Sequence, residues 1–261
     1  MRENTVRSIW ARGGVVVNGW LSIPSSFSAE VMAHQGFDSL VIDMQHGVVD
    51  YQAAVTMRQA ISTTPVIPLA RAPWNDPAHL MKILDAGVYG VICPMVNTGA
   101  QAEALVRSCK YPPRGFRSFG PTRASMYGGE DYASRANDEL LVIPMIETVE
   151  ALENLDEILA TPGVDAAYVG PADLSLSMGR EPRVDQTDPE VVEAQKTVLA
   201  ACQRHGVVAG IHLGTPEYGL KMIEDGYRFV TVASDSHILA LGAAARVAAV
   251  RKGIPGGQPS G

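Results

Sequence analysis

The strongest constraint in this chain is an alternation repeated eight times, in which a short apolar run of strand length is followed by a segment with helical spacing of its apolar positions. The runs fall at residues 15–21, 38–42, 66–70, 89–93, 141–146, 165–169, 207–211 and 228–232. The segments 26–35, 51–62, 77–86, 100–109, 149–160, 189–204, 216–225 and 236–250 have helical periodicity, and Gln35-Gly36, Ala86-Gly87 and His205-Gly206 supply glycine stops. Strand–helix alternation predicts a parallel sheet. No glycine-rich dinucleotide fingerprint follows the first run, so the pattern predicts closure rather than an open doubly wound sheet. The expected fold is α/β, a (β/α)₈ TIM barrel in a single domain, and a length of 261 residues suits one such barrel. Residues 1–252 form the expected domain, the Gly- and Pro-rich 253–261 reads as a flexible C-terminal tail, and 111–139 and 178–187 read as loops with room for short helices.

Charge narrows the class of ligand. A formal net charge of −7 with no basic run argues against nucleic acid and against an anionic membrane surface, leaving a small molecule as the expected partner. Glu3, Arg7 and Arg12 interrupt the N-terminal apolar residues, unlike a signal peptide, and no apolar stretch reaches membrane-spanning length. Cys93, Cys109 and Cys202 are few, odd in number and too far apart for a zinc motif. They read as buried, reduced thiols in a cytoplasmic protein.

In a barrel of this kind the loops after the strands build the catalytic face, so the polar residues at strand ends matter most. Strand two ends in Asp43-Met44-Gln45-His46-Gly47, strand three in Arg71, strand five in Glu147, strand six in Gly170-Pro171-Ala172-Asp173, and strand seven in His212. Neighbouring strand axes lie about 4.8 Å apart, which lets Glu147 and Asp173 reach one point. Each has an ordinary structural reading, Asp173 as an N-cap and Glu147 in a first helical turn. Together, with no Cys or His beside them, they favour a hard divalent ion such as Mg²⁺ or Mn²⁺. The Gly170-Pro171-Ala172 segment offers backbone N–H groups to a carboxylate. Of six histidines only His46 and His212 reach the mouth; His46, with Asp43 and Asp85 as orienting carboxylates, is a candidate base, and a structural role is the alternative. Arg71 is either a catalytic cation or the partner of a surface acid. Arg117 and Arg123, in the long loop, are read as solvated charges or as recognition groups for an acidic substrate tail or a neighbouring subunit.

Lysine placement is informative. Lys82, Lys110, Lys196, Lys221 and Lys252 all fall in helices or at their ends, where solvated surface charge is expected. A Schiff-base mechanism needs a lysine inside the barrel, so metal-assisted enolisation is favoured over imine chemistry.

As they stand, these residues resemble the HpcH/HpaI aldolase family of class II, metal-dependent pyruvate aldolases, which includes 4-hydroxy-2-oxoheptanedioate and 2-dehydro-3-deoxyglucarate aldolases. The likeness runs from about residue 17 to 250. Its marks are Asp43 to Gly47, Arg71 with Pro73-Trp74-Asn75-Asp76-Pro77, Leu84-Asp85-Ala86-Gly87, Tyr111-Pro112-Pro113-Arg114-Gly115, Ile146-Glu147-Thr148 and Gly170-Pro171-Ala172-Asp173-Leu174-Ser175. The resemblance implies that Glu147 and Asp173 bind a divalent ion (Mg²⁺, Mn²⁺ or Co²⁺) and that the Ala172 and Asp173 backbone holds the carboxylate of a 2-oxo acid. It further implies His46 as general base, with Asp85 and Asp43 as its partners, Arg71 at the developing oxyanion, and a homo-oligomer, typically a hexamer. Trp20, Gln45, Gly170, Pro171, His212 and Leu213 complete the expected substrate contacts. Gln45 stands where an acidic residue is frequent, Met145 where a glutamine touches the oxo acid, and His212 where an apolar side chain is usual. Hydroxypyruvate in place of pyruvate, or a more polar aldehyde, fits these changes. The expected reaction is reversible aldol addition of a 2-oxo acid to an aldehyde, giving a 4-hydroxy-2-oxo acid. The competing readings are a citrate-lyase-like enzyme acting on an acyl-CoA, for which no basic cluster is evident, and a barrel kept as a non-catalytic binding or scaffold protein.

Overall fold

The computed structural model of the chain describes residues 1–254. Its strands are β1 (Val16–Leu21), β2 (Ser39–Asp43), β3 (Ile67–Arg71), β4 (Gly90–Cys93), β5 (Leu141–Ile146), β6 (Ala166–Val169), β7 (Val208–His212) and β8 (Phe229–Ser234). All neighbours pair in parallel, and β8 returns to β1, so the sheet is a closed barrel. Around and below it lie α1 (Thr5–Ala11), α2 (Ser26–Ala33), α3 (Tyr51–Ile61), α4 (Pro77–Asp85), α5 (Gly99–Cys109), α6 (Thr122–Gly128), α7 (Tyr132–Glu139), α8 (Val149–Glu153), α9 (Leu155–Leu159), α10 (Pro171–Ser177), α11 (Pro189–His205), α12 (Pro216–Asp225) and α13 (Asp235–Gly253). The helix starts are written locally. Asp76, Asp188 and Thr215 each cap a helix through the side chain, and proline follows at the first helical position. Of the expected tail, Gly253 ends α13, Ile254 follows it, and the rest lies outside the described residues.

Two apolar layers follow from a sheet with both faces covered. Val41, Leu69, Ile92, Ile143, Tyr168 and Phe229 belong to the cluster inside the barrel, while a larger one fills the space between sheet and helices. A polar thread crosses the interior. Ser39 Oγ donates to Asn18 Oδ1 at 2.7 Å, Asn18 Nδ2 donates to Thr231 Oγ1 at 2.9 Å, and the Tyr168 hydroxyl donates to the same Thr231 oxygen. Tyr168 in turn meets His212 Nδ1 at 3.2 Å, near the mouth.

Several local expectations are corrected. The single helix expected over 149–160 breaks at Asn154, which leaves the α region (φ −102°, ψ 16°) and sends its Nδ2 to the Asn97 and Glu150 carbonyls. The 111–139 stretch does carry short helices, α6 and α7, while α1 lies where no helix is expected. Lys110 is not solvated: it is 4% exposed, and Nζ donates to the Asn137 and Leu140 carbonyls, where cations complement the C-terminal end of α7. Because Leu140 immediately precedes β5, this lysine sits at the floor of the barrel, away from the strand ends that form the mouth. Arg117 and Arg123 are floor contacts as well. Buried Arg117 donates to Asp85 Oδ1 at 2.6 Å and to the Tyr132 hydroxyl, and Arg123 donates to the Ala86 carbonyl. Neither is a solvated loop charge. The three thiols are free and buried, as expected.

The polar thread sets two measurable expectations. Thr231→Val removes the shared acceptor of Asn18 and Tyr168 and should lower unfolding stability by about 1–3 kcal/mol in urea titrations. Burial, with the Arg71 charge adding, pushes His212 down to about 4 from its ordinary value near 6.5. The folded state therefore disfavours the imidazolium, so the His212 contribution to stability is fully present above pH 6.5 and is lost as pH falls towards 4. A series of Tm values across that window should fall for the native chain and fall less for His212→Leu.

Candidate active site

A cavity of about 350 Å³ opens at the carboxyl ends of the strands, bordered by Trp20, Asp43, His46, Arg71, Asp173 and His212, among others. Strand register creates its charged pair, since Asp43 and Arg71 are direct partners in the β2–β3 ladder. Arg71 Nε donates to Asp43 Oδ1 at 2.8 Å and Nη2 donates to Oδ2 at 2.6 Å, a planar fork on a carboxylate. Both side chains are buried, and the guanidinium lies 5.0 Å from the centre of the Trp20 ring. Burial pushes the Asp43 carboxyl up, but the bond and charge of Arg71 outweigh it and hold the group below the usual carboxylate range.

The same carboxylate shapes the loop carrying His46. Asp43 Oδ1 accepts the backbone N–H groups of Gln45 and His46 at 3.1 and 3.2 Å, closing a tight turn that sets the exposed imidazole at the rim. Gly47 is required there, because a Cβ would lie 2.2 Å from the Asp43 carbonyl oxygen.

Next to Gly170, which borders the cavity, Glu147 follows β5 and is almost fully buried. Its Oε1 accepts the Met95 N–H at 2.7 Å, and Met95 is the one non-glycine residue with positive φ (+56°) among the described residues. Oε2 receives no protein hydrogen bond among those residues and faces Gly170, where a Cβ would stand 2.6 Å from it. Burial pushes the Glu147 carboxyl up to about 7, opposed by the Met95 N–H and reinforced by the charge of Asp173. Asp173, in the first turn of α10, borders the cavity together with Gly170, Pro171 and Ala172.

This donor set fits a divalent ion of the hard class. No group of three or more His, Cys, Asp and Glu side chains poised to hold a metal occurs among the described residues. Two nearby carboxylates, one with an oxygen free of hydrogen bonds, leave the remaining coordination positions to water and substrate oxygens.

Not every expected residue joins the site. Asp85 ends α4, close to the floor residues Ala86 and Gly87, and its carboxylate is held by Arg117 rather than by His46. Gln45 turns its amide oxygen into a buried position and does not border the cavity. Leu213 is buried in the outer apolar layer. Conversely, Ser22, Tyr168, Ser234 and Ser236 border the cavity without having been singled out. Ser22 and Ser234 stand at the ends of β1 and β8, so the strand-end rule applied to all eight strands finds them.

The sequence pattern of the family described as HpcH/HpaI aldolase/citrate lyase matches residues 19–241. A hydroxypyruvate/pyruvate aldolase of Rhizorhabdus wittichii is 42% identical over 243 residues, covering 93% of this chain and 96% of that protein. A 4-hydroxy-2-oxo-heptane-1,7-dioate aldolase of Escherichia coli is 37% identical over 249 residues, covering 94% of each. Among solved structures, an HpcH/HpaI aldolase/citrate lyase family protein from Burkholderia cenocepacia superposes with a TM-score of 0.90 at 33% identity, over 95% of this chain and 99% of that one. With the barrel, the strand-end carboxylates and the Asp43–Arg71 pair all present, the chain belongs to the HpcH/HpaI aldolase/citrate lyase family and is a carbon–carbon lyase.

Proposed function

We propose that the chain is a metal-dependent class II aldolase joining pyruvate or hydroxypyruvate to an aldehyde, reversibly, to give a 4-hydroxy-2-oxo acid. The observation that carries this reading is the convergence of strand-end groups on one cavity: Asp173, Arg71 and His46 border it, and Glu147 Oε2 lies against Gly170 in its lining. Glu147 and Asp173 would hold a divalent ion, Mg²⁺, Mn²⁺ or Co²⁺, which when bound supplies Lewis-acid polarisation of the ketone. Ala172 and Asp173 border the cavity, and their backbone would hold the oxo acid's carboxylate.

The residues of the chain divide the remaining work. His46, held at the rim by the turn on Asp43, takes the proton from the carbon beside the ketone and returns it to the new alkoxide. Arg71 spends Nε and Nη2 on Asp43, so Nη1 remains to meet negative charge developing on oxygen, already oriented and needing no reorganisation. Asp43 acts through these two, fixing the guanidinium and the loop at once. Trp20 and His212 form the wall, their ring centroids 5.0 Å apart.

We propose further that the enzyme is a cytoplasmic homo-oligomer, a hexamer as its family resemblance implies. The free buried thiols support the compartment. The exposed Ile238, Leu239, Leu241, Val247 and Val250 along α13 support assembly, since a helix so uncovered calls for a partner surface.

Glu147→Ala and Asp173→Ala should each abolish metal-dependent turnover and weaken Mn²⁺ binding in calorimetry while the far-UV spectrum is retained, and exhaustive chelation should silence the unaltered enzyme. Full turnover after chelation would reject the metal. Arg71→Lys keeps the charge but cannot grip Asp43 and also reach the substrate, so kcat/KM should fall by about 100-fold or more, read in a coupled assay of pyruvate release.

A further inference from the structure

A second cavity, of about 520 Å³, opens at the opposite end of the barrel, where β5 and β6 begin, and it shares no lining residue with the active-site cavity. Its volume lies within the range of small-molecule sites, roughly 300–1,000 Å³. Lys110 reaches it from the end of α5, Arg7 from α1, Arg114 from the loop before α6, and Asp165 from the residue before β6. The aldol chemistry uses none of them.

The hydrogen bonds of these groups leave cationic donors over. Both Asp165 oxygens are engaged, Oδ1 accepting Arg7 Nη2 at 2.7 Å and Oδ2 the Val142 N–H at 2.8 Å. Arg7 also gives Nε and Nη2 to the Glu139 and Leu140 carbonyls, so among the described residues Nη1 has no protein acceptor. Arg114 meets the Asp138 carboxylate and the Asn137 carbonyl through Nη1 alone, which keeps Nε and Nη2. Lys110 is the decisive group. Buried, and with no carboxylate in ion-pair range among the described residues, it gives two N–H bonds to carbonyls and retains a third. A buried cation so placed calls for a counter-charge. Burial pushes its ammonium below the ordinary lysine value, with the Asp165 charge opposing, and an anion alongside would relieve the same penalty.

Among the described lining residues Arg7, Lys110 and Arg114 outnumber the acids Asp138 and Asp165 by a single charge. That excess matches a ligand carrying one negative charge rather than two. Apolar surface lies beside the cations: Val106 and Pro162 border the cavity, and Val106 Cγ1 sits so close under Gly163 that a Cβ there would stand 2.8 Å from it. We infer that this floor cavity binds a small aliphatic monocarboxylate, its carboxylate taken by Lys110, Arg7 and Arg114 and its chain laid against Val106 and Pro162. The site stands apart from the aldol reading, and its failure would leave that reading intact.

Calorimetric titration of the full-length, Mn²⁺-loaded enzyme with butanoate, at low and fixed ionic strength, tests the site. Butanoate should bind, and butanamide, with the same shape and no charge, should bind about 10-fold more weakly, the worth of a charge-assisted hydrogen bond. Arg114→Glu, at an exposed position, should weaken butanoate by about 10-fold with Tm retained, and Lys110→Met by about 10-fold or more. Lys110→Met strips two carbonyls of their donor, so Arg114→Glu and the butanamide comparison decide the matter where that variant does not fold. Asp173→Ala, which alters the active-site cavity alone, should bind butanoate as the unaltered enzyme does. No binding of butanoate, equal binding of butanamide, an affinity unmoved in Arg114→Glu, its loss in Asp173→Ala, or a preference for inorganic phosphate over butanoate each overturns the inference.

Discussion

The parallel closure of the sheet is the constraint from which the rest follows. Because every strand runs the same way and β8 pairs with β1, all eight carboxyl ends emerge on one face. Residues distant in the chain, from Trp20 to Ser236, are thereby gathered around one cavity. The direction of the strands also sorts charge. Cations that end α5 or follow it, such as Lys110 and Arg117, are drawn to carbonyls and acids at the floor, and among the described residues Arg71, at a strand end, is the one Lys or Arg that borders the cavity.

Within that frame the buried ion pair of Asp43 and Arg71 acts as an orienting device more than a stabilising one. Removing two charges from water offsets much of what their attraction gains. The pair does fix a guanidinium in one plane against Trp20 while the same carboxylate closes the turn under His46. Glu147 is the counterpart: a carboxyl raised by burial, with one oxygen held by Met95 and the other left open because Gly170 has no side chain. The Asp43 carboxylate is thus satisfied within the protein, while Glu147 keeps one oxygen without a protein hydrogen bond among the described residues.

Much of this was legible in the residue order. Each strand-length apolar run became a strand with its bounds within two residues, and the Asp-Pro and Thr-Pro pairs marked helix starts. Asn154 shows where periodicity misleads, because an apolar stripe continues smoothly through a residue whose side chain prefers the carbonyls of Asn97 and Glu150 to another helical turn. Lys110, Arg117 and Asp85 show the other limit. Sequence says that a charge follows a helix, but whether it meets water or a neighbour's carbonyl depends on segments far away along the chain.

Sequence alone therefore determined the alternation, the closed parallel fold and the strand-end identity of Asp43, His46, Arg71, Glu147, Asp173 and His212, because periodicity and chain direction are local properties that closure converts into a shared face. Tertiary structure alone decided the partners: that Asp43 grips Arg71, that Asp85 belongs to Arg117, that Tyr168 meets both Thr231 and His212, and that Ser22 meets Ser236. Register and packing bring together residues with no relation in the sequence, and the direction of each hydrogen bond exists only once both partners are in place.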